Sequence, residues 1–244
     1  MDRFMNKKIL AYDLGTGGNK ASLYDSDGEC LASTFYSYET LYPQSGMHEQ
    51  RPSDWWDSIV SSTRQLIEET GFDKNDIECL AISGHSLGVV PIDKKGELLL
   101  ETVPIWSDSR AGVQADNFFE KTDQNKWYMT TGNGFPAKLY SVFKMLWYQD
   151  NEPDVIKDSY KVIGTKDYIN FRLTGQIKTD YSYASGSGVY DLLNWKYSPE
   201  LLAASGLDES LFPEIVAATE IIGELSQEAA ECVGLPQKVK VACG

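Results

Sequence analysis

The 244-residue chain is long enough for one large domain or two small ones, and with 42% hydrophobic residues it can bury a sizeable core, which excludes a disordered chain. A formal net charge of −14 argues against nucleic acid or a membrane surface as partner, so any phosphate has to be met locally by backbone N–H groups or a metal ion. The apolar run at 9–12 ends at Asp13, too short for a signal peptide or for the roughly 18 apolar residues of a membrane span, and four scattered cysteines (Cys30, Cys79, Cys232, Cys243) fit a reducing cytoplasm rather than a disulfide framework or zinc site.

Residues 8–13 read as a buried strand. The turn Gly15-Thr16-Gly17-Gly18 leads into a second strand over 19–25, and Asp25-Ser26-Asp27-Gly28 leads into a third over 29–38. Tight turns make the three antiparallel neighbours. A helix opens at Pro52-Ser53-Asp54, with proline near the first helical position and Ser or Asp as cap. Its apolar stripe is Trp55, Trp56, Ile59, Val60, Leu66 and Ile67, and Gly71 stops it. Strands are predicted at 77–83 and 87–93. Helices are predicted at 108–121, 138–149, 165–173, 198–206 and 224–234, with turn-rich stretches at 131–136 and 182–188. A strand over 238–244 closes the pattern. This order predicts an α/β domain with a mixed sheet.

Five stretches can carry chemistry. In the first, glycines after Asp13 let backbone N–H groups approach an anion, Thr16 adds a hydroxyl and Lys20 a positive charge. Asp13 itself would repel phosphate, so it makes sense there only through Mg2+ or its waters. The pattern is neither a Walker A loop nor a dinucleotide-binding fingerprint, because both need a helix next and here a strand follows. An ordinary glycine-rich hairpin turn is the alternative. The second, 46–52, reads as a structured loop that caps a helix, ahead of Trp55 and Trp56. The third, 82–88, leaves room beside a strand end. His85 there is either a ligand contact or a satisfied structural group, and Ser86 has no histidine–aspartate partner set at triad spacing. In the fourth, Trp106 offers a flat apolar face and Asp108 and Arg110 offer hydrogen bonds, although Ser107 or Asp108 can equally cap a helix. The fifth, 179–186, reads as an ordered loop.

The order of these stretches is more specific than any one of them. Asp-x-Gly-Thr from Asp13, Glu-Gln-x-Pro-x-x-Trp-Trp from Glu49, Ser-Gly-x-x-x-Gly from Ser83, Trp-x-Asp-x-Arg from Trp106 and Thr-Asp-x-Ser-x-Ala-Ser from Thr179 together resemble the FGGY carbohydrate kinases, xylulokinases most of all. The resemblance runs from Asp13 to Gly244 and makes 1–244 the N-terminal, sugar-binding domain of a two-domain kinase. It implies the actin-like ATPase, ribonuclease H-like fold, with ATP and Mg2+ as cofactors and a sugar or polyol as substrate. By the same resemblance Asp13, Gly15, Thr16, Gly17 and Lys20 lie near the transferred phosphate, with Asp13 reaching Mg2+ through water. His85, Ser86, Leu87, Trp106 and Asp108 lie near the sugar.

Two departures bear on specificity. Typical xylulokinases read Ser-Gly-Gln-Met-His-Gly where this chain has Ser83-Gly84-His85-Ser86-Leu87-Gly88, and the loop 132–138 fits the usual pattern poorly. Both point to altered specificity, with a xylulose-like pentulose or a related sugar or polyol as the substrate class. The family's catalytic aspartate follows a strand like 239–243, so it is expected just after Gly244, and the ATP-binding domain after that. On this reading the chain alone is inactive and exposes a partly apolar face that favours self-association, a homodimer included. Other readings remain open: a non-catalytic sugar-binding module, a subunit that completes its cleft with another chain through an unpaired edge at 238–244, and another actin-like ATPase.

Overall fold

A computed structural model of the chain describes residues 7–134 and 136–244. Strands β1 (Lys8–Leu14), β2 (Gly18–Asp25) and β3 (Cys30–Ser37) form the expected antiparallel meander. The two-residue strand β4 (Glu49–Gln50) precedes helix α1 (Pro52–Thr70). This helix buries Trp55, Ile59, Ser62, Thr63 and Leu66, spaced three and four apart on one face, against the sheet. Proline stands at its start as expected, but the cap is Arg51, which gives no side-chain bond, rather than Ser53 or Asp54. Gly71 ends it in the left-handed conformation (φ 62°).

Strand β5 (Ile77–Gly84) pairs in parallel with β1. The strand expected at 87–93 shortens to β6 (Val90–Ile92) and leaves the main sheet, and β7 (Val103–Pro104) pairs with β4. The helix expected at 108–121 forms only as α2 (Gly112–Phe119), because the backbone N–H of Arg110 and its guanidinium both close onto Asp108 and hold 108–110 out of a helix. Next come α3 (Gln124–Thr131), which the sequence reading missed, α4 (Ser141–Asn151) and α5 (Pro153–Asp158). Strand β8 (Lys161–Ile163) pairs with β6. Helix α6 (Thr165–Thr174) falls where expected, followed by β9 (Lys178–Asp180). The stretch expected as turns becomes the one-turn helix α7 (Tyr181–Ser185), because the Asp180 carboxylate accepts from the Ser182 amide and caps it. A small hairpin of β10 (Tyr190–Asp191) and β11 (Lys196–Tyr197), helix α8 (Pro199–Ser205), strands β12 (Glu214–Val216) and β13 (Ile221–Glu224), helix α9 (Gln227–Val233) and strand β14 (Lys240–Ala242) complete the chain.

The main sheet has the order β13-β14-β5-β1-β2-β3. Strand β5 pairs in parallel with β1 and β14, while the β1–β2, β2–β3 and β13–β14 pairs are antiparallel, so the sheet is mixed as expected. The unpaired edge at 238–244 that would favour a subunit completing its cleft with another chain does not occur, since β14 is hydrogen-bonded to β13 on one side and β5 on the other. One core lies under this sheet around Leu10, Leu23, Trp55, Leu80 and Val241; a second, aromatic core joins Phe118, Trp127, Tyr140 and Phe143 among the helices. Register aligns Asp13 with Lys20 on β2 and with Ser83 on β5, so three polar, exposed residues stand abreast at the carboxyl edge of the parallel strands. Ligands of open α/β sheets gather at such an edge.

Gly18 is where β2 and β3 come closest: an added Cβ would lie 2.4 Å from the Phe35 ring and 2.5 Å from the Tyr36 carbonyl oxygen. Gly18→Ala is expected to cost about 2 kcal/mol through overpacking, seen as a melting temperature lower by about 4–8 °C; an unchanged value would show that β3 can move away freely.

Candidate active site

The carboxamide of Gln50 is fully buried where four segments meet. Its Nε2 donates to the Thr16 carbonyl (2.7 Å) and the Thr40 hydroxyl (2.8 Å). Its Oε1 accepts from Trp55 Nε1 (2.9 Å) and His85 Nε2 (3.2 Å). An amide side chain has two N–H donors and two lone pairs, and all four are used. The glycine turn, the start of α1 and the loop after β5 are thereby fixed to one another. The sequence reading quoted Gln50 in a motif without giving it a role; its place two residues before the helix-starting proline was the available signal.

On the turn, Tyr38 donates to the Gly15 carbonyl at 2.6 Å, and burial together with the nearby Asp13 charge raises its phenol pKa, keeping it protonated as a donor. The amides of Thr16 and Gly17 donate to no group among the described residues, and space over Gly17 is open. Asp13 is exposed and has no hydrogen bond or ion pair among the described residues, with Lys20 opposite it across the hairpin. Two free amides, a free carboxylate and a lysine around open space fit a phosphate whose charge is shared with Mg2+ held through water by Asp13. No group of three or more His, Cys, Asp or Glu side chains gathers as a metal site among the described residues, so the phosphate itself would have to complete the coordination.

Trp106 faces solvent at 43% exposure and donates from Nε1 to Thr16 Oγ1 at 2.9 Å, which joins the expected sugar side to the expected phosphate side by one bond. Ser86 and Leu87 lie half-buried beside it, Leu87 in the left-handed conformation (φ 64°). The structure places two other expected sugar contacts behind this surface. Both ring nitrogens of His85 are used internally, Nε2 on Gln50 and Nδ1 on the Thr165 hydroxyl (3.2 Å). Because Gln50 Oε1 can only accept, Nε2 carries the proton, and burial next to the charge of Lys144 lowers the imidazole pKa to about 4. His85 is a neutral strut with no nitrogen left for a substrate. Asp108 is fully buried: its oxygens accept from the His48 amide (2.8 Å) and from Arg110, which in turn reaches Glu49. It shapes the loop that presents Trp106. Of the loop 132–138, Phe135 lies outside the described residues, and Asn133 donates to the Ser185 carbonyl at 3.0 Å.

A family model described as the FGGY family of carbohydrate kinases, N-terminal domain, matches residues 8–244. The chain belongs to this family. It is 28% identical over 238 residues to a xylulose kinase of Bacillus subtilis, a match covering 98% of this chain and 47% of that protein. Among solved structures, a xylulose kinase from Rhodospirillum rubrum superposes with a TM-score of 0.90 at 26% identity, covering 98% of this chain and 48% of that one. A gluconate kinase from Lactobacillus acidophilus gives 0.90 at 26% identity, covering 98% and 47%. The fold is therefore the actin-like one of an FGGY kinase N-terminal domain, as expected. The chain spans about half the length of the relatives it matches. No helix among the described residues is long and apolar enough to cross a membrane.

Two predictions test the buried network. Gln50→Leu leaves the indole N–H of Trp55 and the ring N–H of His85 without a partner and is expected to cost about 2–4 kcal/mol in urea unfolding; a loss under 1 kcal/mol, on the same scale, would remove Gln50 from its central place. His85 should remain the neutral Nε2–H tautomer from pH 8 to 5 in NMR titrations, which are simple to assign with two histidines in the chain. Since its value falls from 6.5 to about 4 on folding, the unfolded chain takes up the proton first as pH falls. Stability is whole above pH 6.5 and declines between 6.5 and 4, by up to about 3 kcal/mol. A ring midpoint near 6.5 would contradict the strut.

Proposed function

We propose that this chain is the sugar-binding side of an ATP-dependent sugar kinase, which transfers the γ-phosphoryl group to a hydroxyl of a pentulose or a related sugar or polyol. The observation that carries the reading is the Trp106–Thr16 bond, which sets an exposed indole plane against a turn with two free amides and a free carboxylate. A sugar stacked on Trp106 has its hydroxyls close to the place where a phosphate would sit. The hydroxyl oxygen bonds to the γ-phosphorus, the bond from that phosphorus to the leaving ADP oxygen breaks, and the hydroxyl proton passes to a base. The base is expected in the Gly-Gly-x-Asp-like turn that follows a strand such as β14, and ATP on a second domain, which accords with relatives about twice as long. Mg2+ near Asp13 would neutralise phosphate charge. Thr16 and Gly17 donate to phosphate oxygens, Lys20 adds positive potential, and Trp106 orients the sugar.

The relatives are named for different substrates, xylulose and gluconate among them, so the sugar is to be found by assay. ATP consumption is measured for this chain and for the longer protein, with pentuloses, pentitols, hexuloses, gluconate and glycerol. Turnover by the longer protein alone is expected. In that protein Asp13→Asn should lower kcat by about 10- to 100-fold, the usual effect of losing a group that orients a metal, while Trp106→Ala should raise the KM for sugar and leave that for ATP. Absence of turnover with every substrate would favour a non-catalytic sugar-binding module.

A further inference from the structure

Lys144, on the first turns of α4, is fully buried, yet no carboxylate forms an ion pair with it among the described residues. Its ammonium has three N–H donors, and each is used on a main-chain carbonyl of a different loop: Leu87 at 2.9 Å, Ile105 at 2.9 Å and Leu139 at 2.8 Å. Leu87 belongs to the loop after β5 and holds the strained left-handed conformation. Ile105 immediately precedes Trp106. Leu139 ends the 3-10 turn Ala137–Leu139, which follows the loop 132–136. Burying an amine is costly, and burial lowers the Lys144 pKa to about 7 even with the Asp108 charge opposing the shift; an apolar side chain of similar length would fill the same space. What the apolar side chain cannot do is hold three carbonyl oxygens at fixed distances from one point.

We propose that Lys144 is a positioning residue for sugar recognition, holding the Leu87 loop and the Trp106 loop at a fixed separation. The inference rests on the kinase reading for the identity of the ligand, and on the hydrogen bonds alone for the tie between the loops. Lys144 touches no substrate itself. It acts through the two backbone segments that present Ser86 and Trp106, and the third carbonyl brings the 137–139 turn against the same point. A different separation would shift Ser86 and Trp106 relative to one another, so this buried residue contributes to specificity from behind the surface.

The tie and its purpose are tested separately. Hydrogen exchange of this chain reads the tie without any sugar. In Lys144→Met, the amides of Val89 and Asp108, which bond to Pro104 and Ile105 in the joined loops, should exchange about tenfold faster, as expected for loss of hydrogen bonds to a charged donor. Amides of β1 and β5 should keep their protection. Equal exchange in variant and wild type overturns the tie. If Lys144→Met does not fold, Lys144→Arg serves: its planar fork cannot meet three carbonyls at one point, so a smaller, still localised increase is expected, and none would overturn the tie. In the longer kinase, Lys144→Met should raise the sugar KM about tenfold with the ATP KM unchanged, and Lys144→Arg should recover part of the loss. Loosened loops with an unchanged sugar KM would leave Lys144 a structural residue and overturn its part in recognition. A wild-type protein that turns over no sugar, with the tie intact, would instead remove the kinase reading.

Discussion

The glycine turn, the start of α1 and the loop after β5 are joined through one uncharged side chain. Gln50 carries no formal charge, so its burial requires no counter-ion, and its four hydrogen bonds are met by groups from four parts of the chain. Remove it and the glycine turn, the helix behind it and the loop after β5 lose the one side chain bonded to all three, and are left with separate pairwise contacts such as the His85 amide on the Leu14 carbonyl (2.9 Å) and the Trp55–His85 ring contact. The bonds are individually modest. Their value lies in direction: each fixes the angle as well as the distance between two segments, which apolar contact alone does not do.

The same economy runs through the charged groups. On the kinase proposal a protein of net charge −14 would have to receive a phosphate, and it offers one free carboxylate, one lysine and two free amides in one place while other acids nearby are already engaged. Asp108 and Glu49 are both paired with Arg110, whose guanidinium also lies 4.8 Å from the Trp147 ring. Lys166, buried on α6, lies 2.8 Å from Asp167 and 2.8 Å from Asp180, and donates to the Cys243 carbonyl at 2.8 Å. That cluster pins the carboxyl end of β14 beside the cap of α7, in the way the Gln50 cluster pins the turn after β1.

Local signals were strong where a backbone feature depends on neighbours in sequence. The three opening strands, the helix from Pro52 to its glycine stop and the helix over 165–174 follow from turn residues and apolar spacing, and they fall where expected. What the sequence could not show is how a polar side chain divides its bonds among distant segments. Asp108 and His85 carry the residue types of a sugar site, and both are consumed inside the fold, by Arg110 and His48 in one case and by Gln50 and Thr165 in the other. Their partners lie 35 to 80 residues away except for Arg110, beyond the reach of any periodicity. Trp106 and Thr16, 90 residues apart, were placed on the two sides of the site by the family resemblance, and the bond between them became visible only in the fold.

The position of β14 has a consequence for biosynthesis. It is the last strand in sequence order, but it lies inside the sheet, between β13 and β5. A ribosome delivers β5 long before the strand that covers its edge. At ordinary elongation rates the interval is on the order of ten seconds. Throughout it the nascent chain shows an open row of N–H and C=O groups along an apolar strand, a template for pairing with other chains. The hairpins of β1, β2 and β3 can form early, whereas β13 has no sheet neighbour until residues 240–242 emerge. That edge is thus open for most of the domain's own synthesis, although the finished sheet shows nothing of the exposure.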